Sequence, residues 1–225
     1  MRTWGVIKTA AIAIGLLACT GCVSDGDISK VHIPYHTSIT IAASGTLRVT
    51  QSTGTIRVIA WSEPRVQIDA DRYGSGVDVA NAVQIVSERT HDGVAIRAEH
   101  EDNMGFNKQA GVDFIIHAPA GAALQLKTTA GVIEATGFSS DVEAHLNAGQ
   151  IGITMAKFAA PQRVSASVTT GEVTVHLPRS GAASVSTSVL IGEKTNTFVS
   201  SRSATAGMVN ASATVGEVRV EPSVL

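Results

Sequence analysis

Apolar and polar residues alternate along most of this chain, and seven times the alternation is broken in the same way: a small polar residue, a glycine, then apolar residues at every second position. Full copies surround Gly54, Gly131, Gly149 and Gly171, as in Thr129-Ala130-Gly131-Val132-Ile133-Glu134-Ala135. Weaker copies surround Gly192, Gly207 and Gly216. Gly131, Gly149, Gly171 and Gly192 follow one another at intervals of 18, 22 and 21 residues. A unit this short cannot bury its own apolar face, so a near-fixed period predicts stacked units sharing one core. The expected fold is all-β: a single-stranded β-helix, or solenoid, of short strands with glycine turns. A corner needs positive φ or close backbone approach, which glycine supplies without steric cost. An immunoglobulin-like sandwich also shows many short strands and frequent turns, but it gives no reason for a glycine at one phase of every unit.

Period-two alternation marks strands at 38–41, 45–50, 56–60, 66–70, 94–98 and 112–118. Between 71 and 111 the pattern is less regular. Val79, Ala82, Val83 and Val86 fit one helical face, so 79–86 is either a short helix or a strand, and 100–111 reads as a polar loop. Pro119 and Gly121 end the strong strand 112–118 in a turn. From Leu124 onward each unit is two short strands and two turns, and rungs about 4.8 Å apart would give a rod roughly 30 Å long. Lys194 falls where the other copies carry an apolar residue, which predicts a distorted or polar rung at Gly192.

The first residues read as targeting rather than fold. Arg2 and Lys8 precede the apolar run Thr9–Ala18, which is too short for the ~20 residues of a spanning helix. Leu16-Leu17-Ala18-Cys19 resembles a bacterial lipobox, in which the cysteine is lipidated and becomes the mature N-terminus. Cys22, after Gly21, is the alternative. The organisation expected is a signal peptide at 1–18, a lipidated tether at 19–30 and the β domain at 31–225. Because several fatty-acyl chains anchor firmly, the product is expected at the cell membrane, at the outer membrane or periplasm where the cell has two membranes. Thr20 is not the aspartate that signals inner-membrane retention. No cysteine lies beyond Cys22, so the body has no disulfide. Removing Arg2 and Lys8 leaves 15 basic against 19 acidic residues, a net −4, which disfavours nucleic acid as a partner.

Val112-Asp113-Phe114-Ile115-Ile116-His117-Ala118-Pro119-Ala120-Gly121, followed by Leu124-Gln125-Leu126-Lys127-Thr128-Thr129-Ala130-Gly131-Val132-Ile133-Glu134, resembles the bacterial "putative adhesin" β-helical domain. Val173-Thr174-Val175-His176-Leu177-Pro178-Arg179-Ser180-Gly181 repeats the device, and the likeness spans about residues 38–222. The resemblance implies a β-helical domain exposed in the envelope. It carries over no catalytic residue, because that family is largely of unknown function.

The chain shows no G-x-S-x-G, S-x-x-K, H-E-x-x-H or G-x-x-x-x-G-K motif. The expectation is therefore a non-enzymatic binding or display domain without cofactor or metal, its partner an envelope glycan, peptide or protein. A self-assembling structural component is the alternative, and a carbohydrate-active β-helix enzyme a third reading. Glu172, Glu193 and Glu217 each directly follow a repeat glycine, so stacking would place them in one column, with Met208 of an intervening Gly207 rung interrupting it. Carboxylates about 5 Å apart repel or attract a cation. Trp61 and Tyr73 could stack on sugars or cap an open end. Two further groups could bind metal: the strand histidines His117, His145 and His176, and the polar cluster Glu99–Asn103. Solvated strand and loop residues are the simpler reading of both.

Overall fold

The computed structural model describes residues 30–100, 110–200 and 206–223. The signal peptide, lipobox and most of the tether lie outside the described residues, as do residues 101–103 of the polar cluster. Among the described residues eleven strands form one open sheet: β1 (Val31–Thr40), β2 (Thr46–Trp61), β3 (Arg65–Gly74), β4 (Val83–Thr90), β5 (Gly93–His100), β6 (Ala110–Pro119), β7 (Ala123–Phe138), β8 (Val142–Met155), β9 (Arg163–Leu177), β10 (Ala183–Asn196) and β11 (Gly207–Pro222). The ambiguous stretch resolves into both options: a short helix, α1 (Val77–Asn81), followed directly by β4.

Six of these strands, β2, β7, β8, β9, β11 and β10 in spatial order, run parallel and in register. Their register is set by glycine. Gly54, Gly131, Gly149, Gly171, Gly216 and Gly192 pair successively and have φ between 120° and 142°. An L side chain is strained there, and space forbids one as well. A Cβ on Gly171 would collide with the carbonyl of Gly149, and one on Gly216 with that of Gly171, so each glycine is stacked tightly on its neighbour's backbone.

The column is also where the side-chain alternation changes phase. In β9, Val164, Ala166 and Val168 are buried before Gly171, and Val173 and Val175 after it, an odd step of five residues across the corner. A straight strand would send the second set outward. The phase change keeps both arms of each rung facing one core. Columns such as Leu47–Leu124–Val142–Val164–Val209 and Ile56–Ile133–Ile151–Val173–Val218 fill that core, and all ten of these residues are at most 2% exposed.

Three features depart from the expected coil of consecutive units. Gly207 is not a corner: it begins the first arm of the rung whose corner is Gly216, and the ring of Phe158 fills the space beside it. The last two rungs exchange places, with β11 inserted between β9 and β10. At the other end the arms of β2 part company, the first pairing with β5 and the second with β6, and β6 continues antiparallel through β3 to β1.

The Gly192 rung is polar, as expected, but its corner is regular, and its place is the sheet edge. In columns that are buried on the neighbouring rung it puts Thr187 and the exposed Lys194 and Asn196 beside Ala211, Val218 and Val220, and Phe198, 7% exposed, joins the core beyond it. A polar terminal rung is what a stack needs where its core meets water. Among the described residues no helix is long and apolar enough to cross a membrane.

Candidate functional site

The corner glycines fix what stands beside them on the outer surface. One residue past the corner the column reads Val132, Gln150, Glu172, Glu217, Glu193. The three glutamates are therefore consecutive neighbours, and the expected interruption by Met208 is absent because Met208 pairs with Arg163 and Ser184, far from the corner. Three residues past the corner the column reads Arg57, Glu134, Gly152, Thr174, Arg219, Thr195.

Arg219 answers the carboxylate repulsion. Its Nε and Nη2 donate to Glu217 at 2.7 and 2.6 Å, and its Nη1 donates to Glu172 at 3.1 Å. The hydrogen bonds to Glu217, then charge attraction to both carboxylates, hold the guanidinium above its ordinary pKa. Thr174 Oγ1 donates to Glu172 at 3.2 Å. Glu193, on the edge rung, has no such partner among the described residues. At the far end of the same face Arg57 Nε donates to Glu134 at 2.5 Å. Between these pairs Gly152 leaves a gap of about 130 Å³, bounded by Glu134, Gln150, Glu172 and Thr174. The backbone does not require that glycine, since its φ is not positive and a Cβ there would meet nothing closer than 4.0 Å.

Trp61 does not join this column. It ends β2, three rungs from Glu172, roughly 14 Å along the stack and roughly 20 Å along the strand. Its indole N–H donates to the Arg65 carbonyl at 2.9 Å, Arg65 lies 5.2 Å from the ring centre, and His117 packs 5.3 Å away. Tyr73 sits at the opposite end of β3, over Gly111, with Lys30 5.0 Å from its ring. Burial, then the charge of Asp113, raises its hydroxyl pKa. The two aromatics therefore form no common platform.

His117, His145 and His176 stay apart as well: His145 lies on the first arm of its rung, and His117 and His176 lie on second arms or their extensions. Glu99 is paired with Arg97 at 3.2 Å. Among the described residues no three His, Cys, Asp or Glu side chains are grouped to hold a metal.

Two features were missed in the sequence. Arg48 grips Asp92 through two hydrogen bonds of 2.8 and 2.7 Å, beside a cavity of about 520 Å³ between 40–45 and 89–93. The hydrogen bonds from Arg48 hold Asp92 well below the usual carboxylate range. The second is a polar groove on the outer face of the first arms. There His145 Nδ1 lies 2.6 Å from Ser167 Oγ, and its Nε2 lies 2.9 Å from Glu143 Oε1. Ser167 follows His145 by the same 22 residues that separate Gly149 from Gly171, so alignment on the glycines brings the pair together.

No family model matches the chain, and no curated protein matches it either. Solved structures do. A crystal structure of a "putative cell adhesion protein" from Clostridium sporogenes aligns with TM-score 0.60 at 15% identity, over 85% of this chain and all of that one. A "putative adhesin" from Bacteroides fragilis aligns over 85% of this chain and 97% of that one, at 11% identity and TM-score 0.35. The first of these establishes a shared all-β fold.

Proposed function

We propose that this chain is a lipid-anchored cell-envelope protein whose β-helical, adhesin-like domain displays a binding surface and performs no catalysis. The in-register column of corner glycines carries the reading. The link from β7 to β8 is only residues 139–141. Three residues reach about 10–14 Å, whereas a straight 16-residue strand would run about 53 Å. Each rung must therefore double back at its glycine, which supports a solenoid. Such a scaffold presents long, rigid outer faces rather than a closed active-site cleft. The fold shared with a protein named for cell adhesion agrees with display at a surface. The lipobox at Leu16–Cys19 supplies the anchor, with Cys22 as the alternative attachment point.

Mass spectrometry of the mature N-terminus tests the anchor. An acylated Cys19 is expected, and a secreted product without fatty acid would refute it. Binding of the mature chain to glycan, peptide and liposome panels tests the display role, which a purified protein that turns over a substrate would overturn. The self-assembling alternative is disfavoured by Lys194 and Asn196, which put polar groups where a further copy would have to stack.

A further inference from the structure

We infer that the groove on the first arms of β8, β9, β11 and β10 binds an uncharged glycan, an assignment that rests on the binding role proposed above. The outer surfaces of the two arms differ in kind. Past the corner, the charged side chains are largely consumed by one another, as in Arg57–Glu134 and Arg219 with Glu172 and Glu217. Before the corner, the four rungs form a concavity of about 410 Å³, within the range of small-ligand sites.

Six of its eleven lining residues carry a hydroxyl or an amide. Ser167, Ser212 and Ser188 occupy one column, and Asn147, Thr169 and Thr214 the next. Apart from the Ser167–His145 contact, these six side chains make no side-chain hydrogen bond among the described residues, so their donors and acceptors are free for a ligand. His145 closes one end of the groove, its ring orientation fixed by Glu143 and Ser167. Leu190, 77% exposed, forms an apolar wall at the edge rung.

This chemistry selects its ligand. A phosphate or other anion would call for Arg or Lys, and neither lines the groove. Protein partners anchor on aromatic or Arg hot spots, also absent from the lining. What remains is paired donors and acceptors repeating at the rung spacing of about 4.8 Å, the scale of successive sugar rings, with one apolar patch for a ring face.

The test is titration of the full mature chain in detergent with neutral manno-, cello- and N-acetylglucosamine oligosaccharides, beside uronate oligomers and a peptide panel. Saturable binding of a neutral oligosaccharide is expected. Asn147→Ala with Thr169→Ala should weaken it at least about tenfold, the loss of two or more hydrogen bonds. Ser212→Trp, which fills the groove, should abolish it, with circular dichroism confirming the fold. Binding that survives all three substitutions but is lost in Trp61→Ala or Glu172→Gln would overturn this assignment while leaving the display role standing. Binding of peptides or uronates but of no neutral oligosaccharide would overturn it too. Binding of nothing in any panel would sink both.

Discussion

At the scale of single residues, glycine is used in two opposite ways, and paired substitutions separate them. Gly171→Ala forces an L side chain to φ near 142° and into the Gly149 carbonyl. It should cost at least about 1–3 kcal/mol, read as a clear fall in melting temperature. Gly152→Ala meets open space. It should be neutral or stabilising by up to about 1 kcal/mol through the unfolded state, while filling the gap between Glu134 and Glu172.

Two hydrogen-bonded carboxylates make a second test. Asp92 is depressed chiefly by its hydrogen bonds from Arg48, and Asp69 by those from Gln67 and then His36. A carboxylate whose folded pKa is lowered adds stability above its unfolded value, about 3.9, and loses it as pH falls toward the folded one. Urea midpoints should therefore be insensitive to these groups above about pH 5 and fall below about pH 4. Asp92→Asn should remove part of that fall.

Aligning the sequence on its glycines brings Arg57 to Glu134, but recovers neither Arg48–Asp92 nor His36–Asp69. Arg57, Glu134 and Arg219 all stand three residues past a corner. Gly207 misleads because Ala206-Gly207-Met208-Val209-Asn210-Ala211 has the corner's spelling, although its glycine makes room for Phe158 instead.

At the scale of elements, the strands themselves are legible, since alternation survives wherever one face is buried. Their spatial order is not, because every rung offers the same glycine and near-identical apolar columns to its neighbours. One signal does distinguish them. Only β10 places a charge, Lys194, in a column otherwise held by Ile and Val, so it can only be terminal. A charge on an edge strand deters edge-to-edge pairing. Replacing Lys194 and Asn196 together by Val should continue the core to the edge and promote dimers or fibres. Light scattering at rising concentration would show it as a rise in mass, and an unchanged mass would assign the block to Phe198. On the outer face, Arg219→Ala should lower the melting temperature modestly at low salt by unmasking Glu172 against Glu217. The deficit should shrink in high salt as the carboxylates are screened.

At the scale of the whole molecule, the scaffold separates a paired ionic surface from a groove of free hydroxyls, and both are set by the register of one crease. At the opposite end β1, β3 and β6 pair antiparallel with one another, which the alternation pattern did not reveal.

The exchange of β10 and β11 has a consequence for synthesis. As the growing chain emerges, β10 is made first yet has no neighbour to dock against until β11 arrives, since β11 lies between it and β9. The last sixteen-residue strand thus works as a keystone. A premature stop after residue 206 should strip the protein of two rungs rather than one, and amide exchange should find β10 and β11 opening together, as a single unit.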